Sequence, residues 1–202
     1  MIFGESGERN YLMLEEMFNA KTIENFLSIK DLDIILNYAK STESWEGSDF
    51  WKDRILSIQK INNENKEVSL LLFNLLMKQK EYISNSYNLN TMIYSDAFVL
   101  VKWLPGQEQS PHSDNMIDTP DHINHKHREY GSIVYLNNDF FGGETFYPQH
   151  NVSIVPKSRM LAVHPADDNH MHGVSKIENG IRYTVASFWT FDKEKSNECL
   201  TF

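Results

Sequence analysis

The sequence predicts an α+β protein in which a helical first half supports a β-rich second half of sandwich, barrel or jelly-roll type. Three observations lead there. Apolar residues recur at helical spacing up to about residue 90 and then give way to short β-branched and aromatic runs. Turn-forming stretches (LPGQ, NNDFFGG, PKS, ENG) separate those runs. All eight histidines lie between His112 and His172, so the two halves are expected to do different work.

The elements follow in order. Ser28 with Asp31 three residues later resembles a capping box, and IKDLDIILNYAK then sets Ile29, Leu32, Ile35, Leu36 and Tyr38 near one helical stripe. STESWEGSDFWKDRIL is aromatic-rich and irregular, without clear chemistry; Trp45 and Trp51 read as packing residues, with an aromatic wall for a peptide groove as the alternative. A longer helix is expected from about residue 65 to 87, with Val68, Leu71, Leu72, Leu75 and Leu76 facing a core. Strands are expected near 92–103, 131–137, 144–148, 152–156, 160–165 and 181–191, short and evenly spaced as in closed or two-sheet β architectures. Gly142 and Gly143 read as a turn and not as a phosphate cradle. Without repeat, linker or low-complexity segment, the 202 residues are expected to form a single domain: 1–90 a mainly helical support, 91–192 the core.

A net charge of −9 and a pI near 5.3 disfavour a broad nucleic-acid or anionic-membrane surface. The single cysteine, Cys199, rules out an intrachain disulfide and a cysteine-based zinc site, and fits a reducing compartment. MIFGESGERN lacks the pattern of a signal peptide, and VSLLLFNLLM (68–77) falls short of the ~20 residues of a membrane span. A soluble, cytoplasmic protein is expected; a viral source stays open, and the oligomeric state is not legible.

The chemistry centres on PHSDNMID (111–118), where His112 and Asp114 are separated by one serine. On an extended segment residues i and i+2 point to the same side, so the imidazole and carboxylate would converge. A third ligand must come from elsewhere, and HMHGVSKIENGIRYTVASFW (170–189) supplies His172, with His170 and His164 in competition. Two imidazoles and one carboxylate leave three positions open, the pattern of non-haem Fe(II) oxygenases. Ten residues beyond His172, Arg182 offers a fork that grips a carboxylate through two bonds. Strand alternation puts Arg182, Thr184, Ala186 and Phe188 on one face, so the guanidinium would enter an apolar interior, costly unless an anion meets it. In DHINHKHREY (121–130), His122, His125 and His127 read as a loop over the site's mouth, with a second metal site as the alternative.

From about Phe98 to Phe191 the chain resembles the catalytic core of the Fe(II)/2-oxoglutarate-dependent dioxygenases, within them the prolyl 4-hydroxylase-like group. KWLPGQEQSPHSD (102–114), SIVYLNNDFFGGETFYP (132–148), SIVPKSRMLAVHP (153–165) and HGVSKIENGIRYTVASFW (172–189) carry the resemblance in order. KTIENFLSIKDLDIIL (21–36) is similar to the strand-then-helix opening common in the group. The resemblance implies a double-stranded β-helix with His112, Asp114 and His172 as iron ligands. It implies that Arg182 binds the far carboxylate of 2-oxoglutarate, assisted by Tyr135, with Thr184 as a further contact. Its implied cofactors are Fe(II), 2-oxoglutarate as co-substrate and dioxygen, with ascorbate as an accessory. It implies hydroxylation of a prolyl residue in a peptide or protein, with 2-oxoglutarate converted to succinate and carbon dioxide. The alternatives are hydroxylation of a free amino acid or other small molecule and, behind it, a non-catalytic jelly-roll binding module. A nucleic-acid demethylase is disfavoured by the acidic charge and by the lack of a second arginine shortly after Arg182, and a zinc hydrolase by the lack of a positioned base. The chain departs from the group at Trp103 and Gln109, where tyrosines are common, and at Lys176, where a proline is common.

Overall fold

The computed structural model describes residues 18–116 and 125–197, and all statements below concern those residues. Strand β1 (Lys21–Ile23) leads into helix α1 (Ile29–Ser41). The Ser28 side chain accepts a hydrogen bond from the Asp31 backbone, as the cap predicts, and Leu32, Ile35 and Ala39 turn inward. Ile29 does not join that stripe; it sits in the first turn, 63% exposed, where the helix has not yet reached the core.

The stretch read as irregular ends in order. Strand β2 (Ile55–Ser57) runs directly into a short helix α2 (Ile58–Glu64), with the Ser57 side chain accepting from the Lys60 backbone. Asn65 then breaks the helix with extended φ/ψ, and its side chain caps α3 (Lys66–Ser86) by accepting from the Val68 backbone. Helix α3 buries Val68, Leu72, Leu75, Leu76 and Ile83 against the sheet, each worth roughly 1.5–3 kcal/mol relative to exposure.

The β half forms two antiparallel sheets. Its strands are β3 (Tyr94–Trp103), β4 (Gln109–His112), β5 (Arg128–Tyr135), β6 (Phe141–Gly142), β7 (Thr145–Tyr147), β8 (Val152–Ile154), β9 (Leu161–Pro165), β10 (His172–Val174), β11 (Ile177–Asn179) and β12 (Arg182–Thr190). The larger sheet runs β1-β9-β5-β12-β3-β2 and the smaller β4-β10-β7-β8, with β6 and β11 as a separate pair. These two facing sheets are the jelly roll, or double-stranded β-helix, expected above. The sequence missed β4, β6, β10 and β11, none longer than four residues. Gly142 and Gly143 both take positive φ, so the expected turn is there, closing β6.

Beneath the large sheet a buried polar clamp joins α3 to it. The Trp189 indole N–H donates to Ser132 Oγ at 2.9 Å, and the Ser132 and Ser187 hydroxyls donate to Gln79 Oε1 at 2.9 and 3.1 Å. The helical half is thereby fixed to β5 and β12, the strands carrying the expected co-substrate residues.

Candidate metal and carboxylate site

Strand pairing brings the distant ligand candidates together. His172 on β10 is the direct partner of His112 on β4. Asp114 follows β4, and its Oδ1 lies 3.8 Å from His112 Nε2 and 3.8 Å from His172 Nε2. One ligating atom from each of the three residues falls within 4.8 Å of the others, so one ion fits between them. His170 is engaged elsewhere, its Nδ1 2.7 Å from Asp167 Oδ1, and His164 meets Asp114 from the opposite side.

Backbone contacts orient the rings. His112 Nδ1–H donates to the Ser110 carbonyl at 3.0 Å, and His172 Nδ1–H donates to the His170 carbonyl at 3.1 Å. With the proton fixed on Nδ1, each Nε2 offers a lone pair to the shared point. Gln109 Nε2 lies 3.3 Å from His112 Nε2, so the amide that stands where the group commonly has a tyrosine sits beside a ligand candidate. Burial pushes the His172 imidazole down to about 3, aided by neighbouring His164, so it is neutral at physiological pH. For Asp114, burial acts upward, but His172, the hydrogen bond from His164 and His112 outweigh it and hold the carboxyl well below its usual range.

The large sheet supplies the other wall. Arg182, Thr184, Ala186 and Phe188 all line one cavity with the three ligand candidates, as strand alternation predicts. Trp103 and Val101 face them from β3, opposite Arg182 and Thr184 in register. Arg182 is 1% exposed, and no carboxylate among the described residues forms an ion pair with it. Its Nη2 donates to Thr145 Oγ1 at 3.4 Å, the Tyr135 ring lies 5.2 Å away, and Nε is buried without a partner. Burial lowers the guanidinium's pKa, partly offset by Tyr135. A fixed cation with a free donor inside an apolar cavity suits the far carboxylate of a small dianion.

Several contributors escaped the sequence reading. Thr145, fully buried within GGETFYP, shares a 2.7 Å hydrogen bond with the Tyr135 hydroxyl and links it to Arg182, a role that a threonine on a short strand does not announce. Trp51 lines the cavity, its ring 5.5 Å from that of Trp103, so it is not a packing residue alone. Arg54 stands behind both, 4.1 Å from the Trp103 ring and 4.8 Å from Trp51, a guanidinium stacked where no pattern pointed.

Of the second histidine group, His122 lies outside the described residues. His125 and His127 gather with Asp96, ligand atoms within 4.8 Å. However, Arg128 Nε donates to Asp96 Oδ2 at 2.5 Å and its guanidinium covers the Phe188 ring at 3.9 Å. A cation already neutralises that carboxylate, which disfavours a second ion there; the group is an ion-paired brace at the end of the cavity.

Residues 98–190 match the model of the 2OG-Fe(II) oxygenase superfamily. Mouse (Mus musculus) prolyl 3-hydroxylase 3 is 29% identical over 99 residues, covering 43% of this chain and 14% of that protein. Prolyl 3-hydroxylase 2 of Gallus gallus is 25% identical over 143 residues, and the chain spans only 21% of its length. Among solved structures, the viral collagen prolyl hydroxylase of Paramecium bursaria Chlorella virus 1, in its 2OG complex, aligns with TM-score 0.64 at 16% identity, over 87% of this chain and 97% of that one. The Trichoplax adhaerens prolyl hydroxylase bound to a hypoxia-inducible-factor peptide fragment aligns with TM-score 0.62 at 20% identity, over 96% of both chains. At those identities the structural likenesses speak to the fold. Residues 98–190, which match the 2OG-Fe(II) oxygenase superfamily model, include every cavity-lining residue named above except Trp51.

Proposed function

We propose that the protein is an Fe(II)- and 2-oxoglutarate-dependent dioxygenase that hydroxylates a prolyl residue in a peptide or protein. One observation carries the reading: the buried, unpaired Arg182 shares a cavity with two imidazoles and a carboxylate that converge on one point. A buried arginine with an orphaned donor on the wall of a cavity that also holds the three ligand candidates is an arrangement that an anionic ligand would complete.

Under this reading His112, Asp114 and His172 hold the iron, and Arg182 binds the far carboxylate of 2-oxoglutarate. Thr145 and Tyr135 orient that guanidinium, and Thr184 borders the co-substrate. Bound iron supplies the activation of dioxygen, coupled to decarboxylation of 2-oxoglutarate to succinate. The protein's own part is to leave three coordination positions free, align the co-substrate chain and keep water from the reacting centre with Val101, Ala186, Phe188 and Trp103. The prolyl substrate is supported by the named activities of the relatives, and a peptide by the complex of the Trichoplax enzyme. Trp51 and Trp103 give a prolyl ring an aromatic wall beside the ligand set.

We further propose a single domain in which the helical region supports the β core through the α3 clamp. The single cysteine supports a reducing compartment such as the cytoplasm. No helix among the described residues is long and apolar enough to cross a membrane.

The test is succinate release from 2-oxoglutarate with Fe(II), across a panel of proline-containing peptides and free amino acids. Stimulation by a peptide, with a mass gain of one oxygen on proline, is expected. Stimulation by free amino acids alone would replace the peptide reading with a small-molecule one. No succinate under any condition would remove the enzymatic reading in favour of a binding module.

A further inference from the structure

We propose that His164, held by Tyr147, is a positioning residue that fixes Asp114 so that one of its oxygens alone faces the metal position. The inference rests on the metal-dependent reading above.

The two oxygens of Asp114 have different surroundings. Oδ1 lies 3.8 Å from the Nε2 atoms of both His112 and His172. Oδ2 lies 2.9 Å from His164 Nε2, in a side chain only 1% exposed. An ionised carboxylate only accepts, so His164 Nε2 carries the proton. The remaining nitrogen, Nδ1, is 2.8 Å from the hydroxyl of Tyr147, which is fully buried. Tyr147 engages Nδ1 while Asp114 engages Nε2, so the imidazole is pinned at both ends between a buried phenol and the carboxylate.

The backbone is shaped for this contact. Gly131 on β5 pairs with His164 on β9, and a Cβ there would fall 2.1 Å from Asp114 Oδ2 and 2.5 Å from His164 Nε2. The carboxylate and the imidazole meet in the space left by the missing side chain. Tyr147 arrives from β7 in the smaller sheet, so both sheets contribute to one hydrogen bond. A histidine that merely filled the core would need some partner; here its partner is the one carboxylate of the ligand set. With Oδ2 tied, the side chain binds through Oδ1 only. Freed, it could present both oxygens and take a position that the co-substrate or dioxygen requires.

The readout is equilibrium binding of Co(II) to metal-free protein, without 2-oxoglutarate or turnover, in the parent and in His164→Ala, His164→Gln, Tyr147→Phe and His112→Ala. His164→Ala is expected to raise the Co(II) Kd about 10- to 100-fold, the usual range for losing a group that orients a ligand. Tyr147→Phe, nearly isosteric, should raise it by a smaller factor. His164→Gln, whose amide N–H can donate to Oδ2, should recover most of the affinity. A folded His164→Ala or Tyr147→Phe protein with the parental Kd would overturn the proposal, as would equal losses in His164→Ala and His164→Gln. If His164→Ala does not fold, Tyr147→Phe decides alone. A parent that binds Co(II) and loses it in His112→Ala, but not in the His164 and Tyr147 variants, leaves the metal site standing and removes only this inference. A parent that takes up no Co(II) removes both.

Discussion

Replacing Arg182 with methionine should make the ligand-free protein more stable and the co-substrate complex weaker. Arg182 is wholly buried; its Nε has no partner, its Nη2 reaches Thr145 only at 3.4 Å, and no described carboxylate offsets its charge. Methionine fills a similar volume without charge or orphaned donors. Exchanging a poorly compensated buried cation for an apolar side chain gains about 1–2 kcal/mol here, within the range known for buried ionic groups. At roughly 2–4 °C per kcal/mol for a domain of this size, the ligand-free melting temperature should rise by about 2–8 °C. Removing one partner of a desolvated charge pair costs about 2–4 kcal/mol of binding, so the 2-oxoglutarate Kd should rise some 30- to 1000-fold. The assay is thermal melting under anaerobic conditions with metal, with and without co-substrate. At 100 times its Kd, 2-oxoglutarate should stabilise the parent by about 2.7 kcal/mol, or roughly 5–10 °C, and the variant at that same concentration by no more than about 0.9 kcal/mol, or roughly 2–4 °C. A variant less stable than the parent that 2-oxoglutarate still stabilises equally would refute the reasoning, because Arg182 would then be a structural strut.

Four further outcomes are expected. Thr145→Val should leave the Tyr135 hydroxyl buried without its partner, lowering stability by about 1–2 kcal/mol and raising the KM for 2-oxoglutarate with little change in that for peptide. Trp51→Ala should do the reverse, raising the peptide KM with a smaller effect on the co-substrate KM, since Trp51 lines the cavity through its contact with Trp103 and takes no part in the Arg182–Thr145–Tyr135 hydrogen bonds; steady-state kinetics separate the two. The metal-free protein should lose stability as pH falls from about 6.5 towards about 3, because unfolded His172 takes up a proton in that window while the folded imidazole refuses it; melting curves across pH should show this slope, flattened in His172→Gln. Asp96→Asn should weaken the Arg128 brace and lower melting temperature while leaving the Co(II) stoichiometry at one, which titration will show.

Much of the site was legible because it obeys local rules. Arg182 and Thr184 alternate on one strand, a pattern that survives folding unchanged, whereas the extended run expected through Asp114 stops at His112 and the carboxylate reaches the site from the turn that follows β4. Helix α3 was legible for the same reason, its Asn65 cap and apolar spacing being written within one turn of each other. What stayed hidden depends on contacts between remote strands. Nothing in MLAVHP announces that His164 will meet Asp114, because the meeting is set by the pairing of β5 with β9 and the gap at Gly131. Thr145 and Trp51 have the look of a strand threonine and a core tryptophan until the two sheets close around them. The short strands β4 and β10 carry too few residues to show a period, although they hold two of the three candidate ligands.

The most direct test is a crystal structure grown anaerobically with Mn(II) and 2-oxoglutarate. The account predicts one ion bound by His112 Nε2, His172 Nε2 and Asp114 Oδ1 together, with the far carboxylate of 2-oxoglutarate forked onto Arg182. An ion seated at Asp96 and His127 instead, or a co-substrate whose carboxylate avoids Arg182, would contradict it.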